Sequence, residues 1–175
     1  MNNIMKNSKL LALICALSLL FVSCEKVQKN EWANFYGYTN EDIIGTYSFS
    51  NISDAFDGVE GTGRHACPDA EISISAVPGS SLIDFAVNCP SANFSKQIVA
   101  AATPNEGDFM IQMSTGINYN NKAYEVEARV LKNDKQEMRL SGFIAETTYE
   151  YQESENVGHY VKIDGVYYYF DVIKN

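Results

Sequence analysis

The chain has 175 residues, of which 46% are hydrophobic and 20% charged, and its formal net charge at pH 7 is −9. This length suits a single domain. The acidic balance excludes a surface built to bind nucleic acid or anionic lipid headgroups, so we expect no nucleic-acid partner.

The N-terminal segment has the order of a secretion signal. Two lysines precede a 13-residue apolar run, Leu10 to Val22, which is followed by Ser23 and Cys24. A permanent bilayer-spanning helix needs about 20 residues, so the run is too short for one. We interpret residues 1–23 as a cleaved signal peptide. Its removal takes away two lysines and no acidic residue, which changes the formal net charge from −9 to −11.

The tetrapeptide Phe21-Val22-Ser23-Cys24 resembles the lipobox of bacterial lipoproteins. The resemblance implies that Cys24 carries a thioether-linked diacylglycerol and that cleavage falls just before it. Two or more acyl chains hold a protein stably on a membrane, so we expect a membrane partner through the N-terminal lipid. Glu25 rather than Asp follows the cysteine, and the expected location is therefore the outer membrane of the cell envelope. The alternative is an ordinary secretory signal with an incidental cysteine.

Residues 24–40 are predicted to be a polar, lipid-anchored tether, and residues 41–175 the folded domain. Aromatic residues collect near the end of this leader. They either cover one end of the core or form an exposed platform for a sugar or another partner. These residues are Trp32, Phe35, Tyr36 and Tyr38.

After residue 42, apolar and polar residues alternate with a period of two, which indicates half-buried strands. The pair Asp164-Gly165, flanked by β-forming residues, predicts a tight hairpin turn. The one predicted helical turn lies near Ser53–Phe56. The predicted strands are 43–50, 70–77, 82–88, 96–102, 108–114, 122–131, 136–150, 158–163 and 166–172.

Such a series of strands must bury one face and protect two edges. The predicted fold class is all-β, an antiparallel meander forming a β-barrel of about 8–9 strands, with a two-sheet β-sandwich as the alternative. Ile44-Gly45-Thr46-Tyr47 is similar to the Gly-x-Trp that opens the first strand of lipocalins, with Tyr47 in place of Trp. Together with the lipid-anchored leader and the long Gly- and Asp-rich segment Asn51–Asp69, it resembles small lipocalin-like lipoproteins of the Bacteroidota type. The resemblance implies a barrel whose lumen or mouth binds a ligand.

Cys67 and Cys89 are the two cysteines left in the domain, and an even pair in an exported protein predicts a disulfide. The alternative is a metal site formed by both cysteines with His65. That site lacks a fourth ligand, because the other histidine, His159, is distant in sequence. We therefore expect no metal and no cofactor.

No cluster in the sequence has a catalytic pattern. Asp54, Asp57 and Glu60 do not have EF-hand spacing. The Gly-x-Gly within 58–63 does not join a strand to a long helix. The acidic residues between 146 and 155 are interpreted as a solvated face rather than as paired glycosidase carboxylates. There is no Gly-x-Ser-x-Gly motif, so we predict a protein that is not an enzyme.

Two functions remain open. In the first, the barrel lumen holds a small, largely apolar ligand. In the second, a surface module binds a partner protein or a glycan through an exposed aromatic face, because six tyrosines lie in the last 30 residues. A ligand-sized cavity favours the first, and a packed interior with exposed aromatic residues favours the second. The predicted ligand-lining residues are Phe85, Phe109, Met113, Tyr124, Val126 and Ala128.

Overall fold

The structure is a computed structural model that describes residues 32–49, 56, 58–104, 111–154 and 157–175. Residues 32–175 belong to one compact unit. Within the described ranges, no helix is long and apolar enough to cross a membrane. Several predictions concern residues outside these ranges: the signal peptide 1–23, lipid attachment at Cys24, the tether up to residue 31, the carboxylates of Asp54 and Asp57, and the ligand-lining role of Phe109.

The described chain is almost entirely β, and the all-β prediction is confirmed. Eleven strands join in one sheet. A four-residue helix, α1 (Asn40–Ile43), and a 3-10 turn, Pro90–Ala92, interrupt them. The strands are β1 Ala33–Asn34, β2 Gly45–Phe49, β3 Arg64–Cys67, β4 Glu71–Ala76, β5 Leu82–Cys89, β6 Phe94–Ala101, β7 Thr103–Pro104, β8 Ile111–Ser114, β9 Lys122–Lys132, β10 Met138–Ser154 and β11 Val157–Lys174.

Helix α1 occupies the start of the strand predicted at 43–50. Thr39 and Asp42 form a capping box, in which the Thr39 backbone N–H donates to the Asp42 carboxylate at 2.7 Å and the Asp42 N–H donates to the Thr39 hydroxyl. These bonds to Thr39 lower the pKa of Asp42. The turn buries Ile43, whose carbonyl accepts a 2.6 Å hydrogen bond from the Tyr47 hydroxyl. The first long strand therefore begins at Gly45.

Two meanders meet side by side in the sheet. The strand order is β6-β5-β4-β2-β11-β10-β9-β8-β7, with β1 paired to β9 and β3 to β11. Every pair is antiparallel except β3 with β11. Because β2 pairs with β11, the meander β2-β4-β5-β6 and the meander β7 to β11 are joined edge to edge.

The sheet is open, so the prediction of a closed barrel is wrong. Among the described residues, no strand pairing joins β6 at one end to β7 or β8 at the other. The chain passes from β6 into the two-residue β7 through Ala102 alone, and Pro104 in β7 has no N–H to donate to a neighbour. Strand β8 has four residues and β6 has eight, and the described ranges contain no pairing between them.

One core lies between the two meanders. Ile72 and Phe85 from the first meander and Val126 and Leu140 from the second are at most 2% exposed and belong to the same apolar cluster. Full burial of one such side chain contributes about 1.5–3 kcal/mol. The two halves of the sheet therefore face each other across this core, which fits the predicted sandwich alternative.

The predicted disulfide between Cys67 and Cys89 is present. It ties the end of β3 to the end of β5, with 5.5 Å between the Cα atoms and a sequence separation of 22. In the chain-entropy model, a disulfide that closes a loop of this size stabilises the folded state by about 3 kcal/mol. Strand β3 itself was not predicted, because its four residues are too few to show a period.

The predicted hairpin turn at Asp164-Gly165 is wrong. Both residues lie inside β11, opposite Thr148 and Thr147 of β10, next to a register shift that marks a β-bulge. A Cβ on Gly63, at the start of β3, would lie 2.9 Å from the Gly165 carbonyl oxygen. The absence of a side chain at Gly63 allows this close approach of the two backbones. Strands β10 and β11 continue as one hairpin to the pair Ser154 and Val157.

Candidate functional site

The predicted ligand-lining residues that the structure describes are packed in the core. Phe85, Val126 and Ala128 are 0% exposed, Met113 is 3% and Tyr124 is 7%. Ala128 lies opposite Gly142 of β10, and a Cβ on Gly142 would lie 2.6 Å from the Ala128 Cα. All five described residues belong to the apolar cluster that forms the core.

Aromatic rings cover the end of the core nearest the disulfide. The Phe94 and Tyr168 rings stack with 3.7 Å between centroids, and His65 stacks on the other side of Tyr168 at 5.3 Å. The Lys96 ammonium lies 3.8 Å from the centroid of the Tyr124 ring. Burial, with a smaller contribution from its hydrogen bond to Glu146, raises the pKa of Tyr124 to about 12. The phenol is therefore neutral at physiological pH.

Three of the acidic residues between 146 and 155, Glu146, Glu150 and Glu153, lie within the described ranges. Glu146 forms a 2.5 Å ion pair with Lys122. Glu150 and Glu153 lie further along β10, and both are exposed. Within the described ranges, no three His, Cys, Asp or Glu side chains are arranged to hold a metal ion. His65, from the alternative metal site, instead lies against Tyr168.

The end of the β10–β11 hairpin projects beyond its neighbours. Strand β9 pairs with β10 only as far as Lys122 opposite Thr148, and β3 reaches β11 only from Tyr167 onward. We call residues 150–154 and 157–162 the terminal ribbon. Among the described residues, no third strand pairs with either edge of it.

The terminal ribbon carries exposed apolar side chains. Tyr151 and Tyr160 lie directly opposite each other, 55% and 48% exposed, in edge-to-face contact with 5.4 Å between ring centroids. The Tyr151 ring also crosses Gly158, where any Cβ would overlap the tyrosine hydroxyl. Val157 is 66% exposed, and Ile163, the extra residue of the bulge, is 56% exposed.

The outer face of the same hairpin is also aromatic, as the alternation in 166–172 predicts. Phe143 contacts Tyr167 and Tyr169, each with 5.5 Å between ring centroids. The leader aromatics do not form a separate platform: the Trp32 ring lies over the Arg139 guanidinium, which in turn forms a bidentate ion pair with Asp171.

Two concavities lie on the surface of the sheet. The larger, of about 680 Å³, crosses the outer face of β2, β4, β5 and β6, and we call it the outer groove. The smaller, of about 470 Å³, lies at the opening between β6 and β8, where it includes Met113 and Val126 of the predicted ligand-lining set. The outer groove is lined by Thr46, Tyr47, Ser48, Glu71, Ile72, Ser73, Ala86, Val87, Asn88, Ser95, Lys96, Gln97 and Asn175.

Sequence reasoning missed the terminal ribbon because it placed a turn at Asp164-Gly165. A usable signal was the presence of β-forming residues on both sides of residues 155 and 156, with Tyr149 and Tyr151 before them and Tyr160 and Val161 after them. The groove has no sequence signature, since small polar residues on the outer face of a strand are ordinary in any half-exposed sheet.

Comparison with known proteins gives no relative: no protein-family model, no curated protein and no solved structure matches this chain.

Proposed function

We propose that this protein is a non-catalytic, membrane-tethered interaction module of the bacterial envelope that binds a partner protein through the terminal ribbon. The observation that carries the proposal is the exposed pair Tyr151 and Tyr160 on a two-stranded projection that nothing else in the described chain covers. The tether and the location rest on the lipobox resemblance at Cys24.

Exposed tyrosines on a projecting ribbon suit a protein interface. Tyrosine supplies a large apolar ring and a polar hydroxyl, and it is enriched at interfaces and at their energetic centres. A two-stranded hairpin is marginally stable alone in water, so a partner that covers the ring pair would stabilise it.

The edges of the ribbon indicate that the partner is a protein rather than a glycan. Beyond Tyr149, which donates its N–H to the Asn121 carbonyl at 2.7 Å, both edges of the ribbon have backbone groups that no described strand uses. A third strand from another protein can add to such an edge through main-chain hydrogen bonds, and the exposed side chains then select the partner.

The packed interior supports this surface function over a ligand in the lumen. Phe85 and Ala128, two completely buried members of the predicted lining, belong to the core cluster and line neither concavity. Met113 and Val126 belong to the same cluster and border the smaller concavity at the opening between β6 and β8. In the described part of the chain, the largest exposed apolar side chains near one another lie on the ribbon instead.

Photo-cross-linking in the native host tests the proposal. A photoreactive phenylalanine analogue is placed at Tyr151, at Tyr160 and, as the control, at Tyr119, which is 94% exposed but lies in the turn before β9. We expect one discrete adduct with a second protein at Tyr151 and Tyr160 and none at Tyr119. Equal labelling at all three positions, or no protein adduct at the ribbon, would contradict the proposal.

A further inference from the structure

The outer groove is built from side chains that point away from the core on four strands that are neighbours in the sheet. Thr46, Ser73, Ala86 and Gln97 follow one another in register across β2, β4, β5 and β6. The two central residues of this row, Ser73 and Ala86, are the shortest. They form the floor, and the longer side chains around them form the rim of the 680 Å³ concavity. That volume is in the range of small-ligand pockets, about 300–1,000 Å³.

The lining offers hydrogen-bonding groups that the fold does not use. Within the described residues, no side-chain hydrogen bond involves Glu71, Ser73 or Asn88. Hydroxyl and amide groups both donate and accept, and the Glu71 carboxylate accepts. A ligand with many hydroxyl groups can satisfy all three.

The rim of the groove is held in place by its own hydrogen bonds. The Ser48 hydroxyl donates to Asn175 Oδ1 at 2.6 Å, and Asn175 Nδ2 donates to the Thr46 hydroxyl at 3.3 Å. On the opposite side, Gln97 Nε2 donates to Asp84 Oδ2 at 2.5 Å, while the buried Asp84 Oδ1 has no partner. Fixed groups lose little conformational freedom on binding, which favours a small ligand.

The charge of the groove excludes anionic ligands. Its one ammonium, that of Lys96, lies against the Tyr124 ring on the core side of the sheet. Glu71 is the carboxylate in the lining, and the whole chain has a net charge of −9. An anion would meet repulsion and no cation, whereas a neutral molecule meets neither.

The strand pairing disfavours an extended peptide. The strands under the floor, β4 and β5, are paired on both sides, so their backbone groups are already used. The ring of Tyr47 is 1% exposed and lies on the core side, so the floor offers no aromatic surface for a planar apolar ligand.

We infer that the outer groove binds a short neutral oligosaccharide, with Ser73 and Asn88 hydrogen-bonded to sugar hydroxyls. This site is separate from the terminal ribbon and does not depend on the proposed protein partner.

Binding is measured by NMR with the full chain in micelles of a detergent that has no sugar headgroup. The probes are maltotriose, cellotriose and N,N′,N″-triacetylchitotriose as neutral oligosaccharides, trigalacturonate as the anion and triserine as the peptide. Ser73→Leu fills the floor and Asn88→Ala removes a hydrogen-bonding group. Ser75→Leu is the matched control, because Ser75 is on the same strand and the same face but outside the groove.

We expect at least one neutral trisaccharide to bind with Kd near or below about 1 mM and to shift the amide signals of Ser73, Ala86 and Asn88. Ser73→Leu should weaken this binding about tenfold or more, while Ser75→Leu leaves it within about twofold. Thermal unfolding of each variant shows that the fold is retained. The inference is overturned if no neutral trisaccharide binds, if trigalacturonate or triserine binds better, or if Ser73→Leu and Ser75→Leu behave alike.

Discussion

The substitution Ala128→Phe separates a packed interior from an open lumen. Ala128 lies in the middle of β9, is 0% exposed, and is paired with Gly142 of β10 and with Ile111 of β8. A phenylalanine ring placed there would enter either an empty lumen or the volume already taken by neighbouring side chains.

The expected cost follows from these contacts. Ala128 is completely buried and belongs to the apolar core cluster, so a phenylalanine ring placed there has to displace neighbouring side chains. Overpacking a well-packed core costs typically about 1–3 kcal/mol and occasionally more. We expect Ala128→Phe to lower the free energy of unfolding by an amount at or above the upper end of this range. For a chain of this size each kcal/mol lowers Tm by about 2–4 °C, so the fall in Tm should be about 6–12 °C.

Chemical denaturation and thermal scans measure the change, together with titration of an apolar fluorescent probe. The control is Glu125→Phe, which adds the same ring on the same strand at an exposed position and should change the free energy of unfolding by no more than about 0.5 kcal/mol. A parent protein that binds the probe stoichiometrically, with Ala128→Phe folded at unchanged stability and no longer binding it, would refute the packed interior and restore the lumen.

Three further predictions concern the anchor, the disulfide and the buried tyrosine. Cys24→Ser should abolish labelling by radioactive palmitate and release the protein from membranes; retention of label in the mutant would show that the lipobox interpretation is wrong. Cys67→Ala should lower stability by about 2–5 kcal/mol in urea unfolding, and free thiols at Cys67 and Cys89 in protein from its native compartment would contradict the disulfide. Burial raises the pKa of Tyr124 from 10.0 to about 12, so the folded state holds this proton more tightly than the unfolded state. Its contribution to stability is therefore complete below pH 10 and is lost as pH rises from about 10 towards 12, and Tyr124→Phe should reduce that slope in urea unfolding between pH 9 and 12.

The strand content could be predicted because alternation with a period of two survives in most of the sheet. In β9, Tyr124, Val126 and Ala128 face the core as the pattern predicts, and the observed bounds Lys122–Lys132 differ from the predicted 122–131 by one residue. Likewise, the even pair of cysteines left in the domain was sufficient to predict the disulfide.

The errors arise where a residue type serves more than one backbone geometry. Asp-Gly is typical of a hairpin turn, but here both residues lie inside β11 beside a β-bulge. The Gly165 carbonyl oxygen is closely approached by Gly63, a long-range contact that no local pattern shows. The prediction of a closed barrel was wrong because closure also depends on long-range strand pairing. Strand number alone does not fix closure, and in the described chain no pairing joins β6 to β7 or β8.

The candidate surfaces were the least predictable. The excess of tyrosine near the C-terminus indicated an aromatic surface, but which rings are exposed depends on where β9 stops pairing with β10. The outer groove also depends on the register that aligns Thr46 of β2 with Ser73 of β4. These strands are not consecutive in the chain, so no turn between them fixes their register, and the buried face of the sheet has to set it.

Hydrogen exchange of the terminal ribbon tests the central claim most directly. Amide exchange is compared between protein in intact envelope vesicles and the same protein purified in detergent, with the centre of the β9–β10 pairing as the internal reference. A partner strand or surface on the ribbon should slow exchange at residues 150–154 and 157–162 by about tenfold or more in the vesicles and leave the reference unchanged. Equal exchange rates at the ribbon in both samples would contradict the proposed interaction.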